Sequence, residues 1–366
     1  MNVCDLAVGG IADLQPYVPG KPIEELQRQY GVKDVVKLAS NESPIGPSQA
    51  AQAAIAKAIR DLTRYPDGNG FALKQALTEK YQVEAGQITL GNGSNDVLEL
   101  IARCFVGPED EVMFSQHAFA VYPLVTQAIG ATPVEVPATA FGHDLQAMQQ
   151  AVTNKTKLIF IANPNNPTGT YLSGEAIYAF LQTVPDNVIV VLDEAYVEYG
   201  ESEFNSIDWL QDFPNLIICR TFSKAYGLAG LRVGFALSDA RIADLLNRLR
   251  QPFNVNHFAM SAAIAALGDE EYLQRARQVN AQGMQQLMDG FAAMRLDYIP
   301  SRGNFICVDV ATDAAKVYEN MLRQGVIVRP VAGYGLPNHL RISIGLQHEN
   351  QRCLDALATS LNNVND

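Results

Sequence analysis

Several short stretches of this chain combine residue types that core packing does not call for. Thr221-Phe222-Ser223-Lys224-Ala225-Tyr226-Gly227-Leu228-Ala229-Gly230-Leu231-Arg232 places a lysine just beyond the apolar run Leu216 to Cys219, among small residues and eight positions ahead of an arginine. An amine held there becomes a nucleophile toward a carbonyl once burial or a neighbouring cation strips its proton. A solvated loop lysine is the competing reading, and for a lone lysine the better one. Asp193-Glu194-Ala195-Tyr196 closes a second, very apolar run. A carboxylate in that position is desolvated and requires a cationic or hydrogen-bonding partner. A protonated ring nitrogen is one such partner.

Three further stretches join them. Gly91-Asn92-Gly93-Ser94-Asn95-Asp96 follows Ile88-Thr89-Leu90 and opens a helix, so its free N–H groups could cradle a phosphate. A plain turn between strand and helix is an equal alternative. A dinucleotide fingerprint is excluded, because Asp96 stands at the third glycine position and no acid follows the next strand to take a ribose. Phe119 could stack on a planar ring or simply pack. Asn163-Pro164-Asn165-Asn166-Pro167-Thr168-Gly169 is a rigid polar turn whose amides could address a ligand.

The elements that must position these residues show the same order throughout. Strand-like runs at Glu111–Phe114, Pro133–Val136, Lys157–Ala162, Asn187–Leu192, Leu216–Cys219 and Val233–Leu237 alternate with helical stretches. Such near-continuous apolar strands predict an α/β fold with a mostly parallel, helix-covered sheet. Ligands of open α/β sheets bind outside the carboxyl ends of the strands, which is where these stretches fall. From about Met260 onward, long helices interleave with a few strands, predicting a smaller α+β domain. The expected organisation is an N-terminal arm (1–40) packed with that small domain, a large domain (41–260) and a small C-terminal domain (261–366). A phosphate cradle, an aromatic, an amide turn, an acid with a phenol and a lysine are together the requirements of pyridoxal 5′-phosphate.

With those residues in view, N-P-N-N-P-T-G (163–169), D-E-A-Y (193–196) and S-K-A-Y-G-L-A-G-L-R (223–232) resemble the fold-type I pyridoxal-phosphate aminotransferases. The spacing matches as well: 27 residues from Asn166 to Asp193, 31 to Lys224 and eight more to Arg232. L-Q-P-Y-V-P-G-K-P-I-E-E-L (14–26), K-L-A-S-N-E-S-P-I-G-P (37–47) and R-Y-P-D-G (64–68) resemble the histidinol-phosphate aminotransferases, a class II group, over essentially the whole chain.

The resemblance implies particular roles. Lys224 carries the cofactor and shuttles the proton, Asp193 keeps the ring nitrogen protonated, and Tyr196 and Asn166 address the ring's 3′ oxygen. Phe119 stacks on the ring, where many relatives carry tyrosine. Gly93, Ser94 and Asn95, with Ser223 and Arg232, hold the phosphate. Tyr65 reaches the neighbouring subunit's cofactor, which implies a homodimer with shared sites. Arg341 grips a substrate carboxylate, with Arg329, Tyr17 and Asn41 on the substrate side and Asn304 a weaker candidate. The implied reaction converts L-histidinol phosphate and 2-oxoglutarate to imidazole acetol phosphate and glutamate. The runner-up is an aromatic amino acid aminotransferase acting on phenylalanine or tyrosine, and a phosphothreonine-type decarboxylase is a more distant third.

Composition narrows the classes from another side. A net charge of -12 opposes nucleic-acid and anionic-membrane partners, which need a positive footprint. No basic helix-turn-helix segment precedes residue 40, against a DNA-binding regulator of the same fold. The five cysteines form no C-x-x-C pair, and neither a secretory signal nor a membrane-length apolar run is visible, so the expected compartment is the cytoplasm. The five histidines lack ligand spacing, and no metal is expected.

Overall fold

The computed structural model describes residues 3–7, 9–16, 20–200 and 204–365. Its strands are β1 (Val36–Lys37), β2 (Ile88–Gly91), β3 (Glu111–Ser115), β4 (Thr132–Val136), β5 (Thr156–Ala162), β6 (Ile189–Asp193) and β7 (Leu216–Thr221). They continue with β8 (Gly234–Ser238), β9 (Tyr298–Ile299), β10 (Phe305–Asp309), β11 (Val326–Ile327), β12 (Arg329–Pro330) and β13 (His339–Ser343).

The central sheet has the order β2-β8-β7-β6-β5-β3-β4, and only β8 runs against its neighbours. Helices cover both faces, which is why residues 158–162 of β5, 189–192 of β6 and 216–219 of β7 are unbroken apolar runs rather than alternating. Residues of alternate parity enter two different cores: Ile159, Ile161, Val190 and Ile218 in one, Leu158, Phe160, Val191 and Ile217 in the other. Because β8 is antiparallel to both β2 and β7, those two still point the same way. The carboxyl ends of β2, β7, β6, β5 and β3 therefore lie along one edge, while β4 at the rim brings no site residue.

The C-terminal residues build a second sheet, β12-β13-β10-β9, and β1 pairs in parallel with β11 through Val36–Val326. Leu26 and Ala39 pack with Leu322 and Ile327. Ser48 caps the helix Gln49–Ala58 by accepting from the Ala51 N–H, as its position before an Ala-rich run predicts. The helix Phe71–Tyr81 has no counterpart in the sequence reading. It starts after Gly70 in the left-handed region (φ 61°) without a side-chain cap, so its entry signal looks like one more turn of the Asp67–Gly70 loop.

Candidate active site

The strand ends converge on a cavity of about 190 Å³ lined by residues that follow β2, β3, β5, β6 and β7. From β7 come Ser223 and Lys224. Lys224 Nζ donates to the Ser40 carbonyl at 2.9 Å and lies 5.7 Å from the Tyr196 ring centroid. Burial lowers its pKa to about 7, reinforced by the Arg341 charge, so a large fraction is a free amine at neutral pH.

From β6 comes Asp193. Its Oδ2 accepts from the Tyr122 hydroxyl at 2.8 Å and its Oδ1 from the Ala195 N–H at 3.2 Å. Burial raises its pKa to about 6, while those two donors pull the other way. A desolvated carboxylate needs a cationic or hydrogen-bonding partner; two donors are in place, and burial still outweighs them.

The anion-binding end is built by contact between distant turns. Ser94 begins the helix Ser94–Phe105 after Gly93 at φ 87°, and a Cβ at Gly93 would collide with the Arg232 guanidinium. Only glycine lets arginine reach this helix N-terminus. Arg232 Nη1 donates to Ser223 Oγ at 3.2 Å, and Ser94 and Asn95 line the cavity beside them. Helix N–H groups, a hydroxyl and a guanidinium together have the chemistry to bind a phosphate.

The opposite wall is a continuous hydrogen-bonded network. Asn41 Nδ2 donates to the Tyr196 hydroxyl at 2.9 Å, and Ser343 Oγ donates to Asn41 Oδ1 at 2.9 Å. Arg341 Nη1 donates to Asn166 Oδ1 and Nη2 to the Ala39 carbonyl, each at 2.6 Å, whereas its buried Nε has no partner among the described residues. An arginine held by two neutral acceptors and still short one bond is suited to receive an anion. Burial holds the Tyr196 hydroxyl up at about 12, so it stays a donor at neutral pH.

The remaining expected residues fall elsewhere. Phe119 lines the cavity and meets Tyr122 edge-on at 5.9 Å. Arg329 lines a neighbouring cavity of about 570 Å³, with Gln116, Tyr318 and Tyr334. Tyr65 is 82% exposed and stacks on Phe253 at 4.7 Å, away from the cavity of its own chain. Asn304 does not line the cavity but ties it from behind, donating to the Asn41 carbonyl at 3.0 Å. Tyr17 lies outside the described residues. Tyr122 and Ser343 were not anticipated. The desolvation of Asp193 demanded a donor, but nothing local identifies which.

Phosphate site, buried carboxylate and poised amine in one cavity fit pyridoxal 5′-phosphate, a ring nitrogen, an aldehyde and a phosphate on one scaffold. The glycine needed at 93 and the burial of Asp193, which its two hydrogen-bond donors only partly offset, are the observations that carry this fit.

Fold and site together define a pyridoxal-phosphate aminotransferase class, and similarity to known proteins agrees. The family "Aminotransferase class I and II" matches residues 33–357, and the chain belongs to it. Among its relatives, histidinol-phosphate aminotransferase 2 of Pseudomonas fluorescens (strain Pf0-1) is 58% identical over 97% of each chain. Histidinol-phosphate aminotransferase 1 of Idiomarina loihiensis is 57% identical over 97% of this chain and 98% of its own. The solved histidinol-phosphate aminotransferase from Sinorhizobium meliloti, in complex with pyridoxal 5′-phosphate, superposes with a TM-score of 0.88 at 32% identity. That superposition covers 94% of this chain and 95% of the other.

Proposed function

We propose that this protein transfers the amino group of L-histidinol phosphate to 2-oxoglutarate, giving imidazole acetol phosphate and L-glutamate, in histidine biosynthesis. Its cofactor is pyridoxal 5′-phosphate. The observation that carries the substrate is the 58% identity to a histidinol-phosphate aminotransferase over 97% of both chains.

Bound pyridoxal 5′-phosphate supplies the electron sink that makes the substrate's Cα–H acidic. The chain supplies the rest. Lys224 Nζ would hold the cofactor through its aldehyde carbon and would take and return the proton at the substrate carbon; its pKa of about 7 supports both uses. Asp193 holds the ring nitrogen's positive charge. Tyr196 and Asn166 address the 3′ oxygen, and Phe119 covers a ring face. Gly93, Ser94, Asn95, Ser223 and Arg232 hold the phosphate.

Arg341 receives the substrate anion, with Asn41 on the same cavity's wall, and Arg329 extends the positive lining toward the larger cavity, where Tyr17 is proposed to close. Two guanidinium groups suit both a phosphomonoester and the second carboxylate of glutamate. The working form is a cytoplasmic homodimer in which Tyr65 reaches the partner's phosphate site. Its exposure supports this, as does the exposed apolar company of Ile59, Leu62, Phe71 and Phe253. The arm, large domain and small domain, divided near residues 40 and 260, are the proposed units of the chain.

The test is kcat/KM for histidinol phosphate and for phenylalanine, each with 2-oxoglutarate. A strong preference for the phosphorylated substrate is expected. Preference for phenylalanine would replace this reading by an aromatic aminotransferase.

A further inference from the structure

Tyr122 is wholly buried, and its ring lies parallel to Phe160 of β5 at 4.4 Å with a 2° interplanar angle. Phe119, three residues earlier and outside the helix, meets its edge at 5.9 Å and 87°. β5 is the strand paired with β6, in a register that sets Ala162 opposite Asp193. The hydroxyl is therefore clamped by two aromatic rings beside the carboxylate, and it donates to Oδ2 at 2.8 Å. The Ala195 N–H takes Oδ1. With one fixed donor on each oxygen, the carboxylate cannot rotate.

We infer that Tyr122 is a positioning residue for Asp193: its clamped hydroxyl keeps the carboxylate ionised and in one orientation, and through it keeps the cofactor's ring nitrogen protonated. The inference rests on the proposed pairing of Asp193 with that nitrogen.

Charge bookkeeping around Asp193 supports the assignment. Glu194 beside it disfavours ionisation, and Lys224 favours it. Cys219 on β7 and the Tyr196 phenol feel the Asp193 charge, but burial keeps both neutral. Against the burial that raises the carboxyl, the hydrogen bond from Tyr122 is the largest opposing influence. Burial and the adjacent carboxylate also keep Tyr122 itself far from deprotonation, so it remains a donor throughout the working range.

Tyr122→Phe deletes only the hydroxyl and leaves the stack on Phe160. The holoenzyme is loaded with cofactor labelled with ¹⁵N in the ring, and the pH at which that nitrogen loses its proton is read by NMR. In Tyr122→Phe this midpoint should fall by about one to two pH units, the scale of one hydrogen bond to a charged group. Asp193→Asn should lower it at least as far, and adding Tyr122→Phe to Asp193→Asn should move it no further.

An unchanged midpoint in Tyr122→Phe, with Asp193→Asn shifted, overturns the role of Tyr122. So does an equal shift in both backgrounds, because the hydroxyl would then act by another route. If Asp193→Asn itself shifts nothing, the pairing of Asp193 with the ring nitrogen falls instead. A merely structural role predicts a lower melting temperature with the nitrogen signal unmoved.

Discussion

Arg329 and Arg341 are direct register partners across the antiparallel pair β12–β13, yet they line different cavities. Arg341 is buried between Asn166 and the Ala39 carbonyl, while Arg329 is half-buried beside Tyr318 and Tyr334. Adjacent positions on one sheet thus present guanidinium groups at two depths. Arg341→Ala should reduce kcat/KM on all amino donors by about 100-fold or more, the cost of a charge-assisted anion contact plus its collapsed network. Arg329→Ala should reduce it about 10-fold or more on histidinol phosphate and little on phenylalanine. Equal losses on both would remove Arg329 from phosphate recognition.

Tyr65 permits a complementation test of the shared site. Lys224→Ala and Tyr65→Ala chains are each expected to be nearly inactive as homodimers. Co-expressed, they form mixed dimers in which one of the two sites receives both an intact lysine and an intact tyrosine. About a quarter of the wild-type activity should return at equal expression. If Tyr65 serves its own subunit, no activity returns.

Behind the cavity, Glu194 holds Arg220 through Nε at 2.9 Å and Nη2 at 2.7 Å, joining the ends of β6 and β7. Glu198 is also buried there, but neither of its oxygens has a hydrogen-bond partner among the described residues. Burial raises it to about 7, with Arg220 opposing. The folded value lies above the unfolded one, so the stability it contributes is full below about pH 4.5 and is lost as pH rises through about 7. Glu198→Gln should therefore be neutral near pH 4 and stabilising by about 1–3 kcal/mol at pH 8. The check is thermal unfolding of both proteins across that range. A Gln variant less stable at pH 8 would mean that the carboxylate is paired and useful.

Much of the site was legible in the sequence for a physical reason. Parallel strands buried on both faces leave uninterrupted apolar runs, and in such a sheet the polar residues that follow β2, β5, β6 and β7 share one edge. What was not legible depends on contacts between distant segments. Tyr122 reads as an ordinary core aromatic until the register of β5 against β6 brings it to Asp193. Ser343 and Asn41 are 302 positions apart in the chain. Nor does Arg329, the first residue of a two-residue strand, reveal which cavity it will line. The antiparallel insertion of β8 was equally hidden, since an apolar run carries no direction.

Lys224 provides a kinetic signature. Its amine gains a proton below about pH 7, where it can no longer attack an aldehyde. Capture of pyridoxal 5′-phosphate by the apoenzyme, followed by visible absorbance, should therefore accelerate from pH 6 to 8 and then level off. A rate still climbing in proportion to hydroxide at pH 10 would return Lys224 to an ordinary lysine value.

Reduction of the purified holoenzyme with borohydride, followed by peptide mass mapping, tests the central claim most directly. The protein is expected to be yellow, to lose its visible band on reduction, and to carry one phosphopyridoxyl group on the peptide containing Lys224. A colourless protein that takes up no cofactor, or a label on any other lysine, would contradict the account.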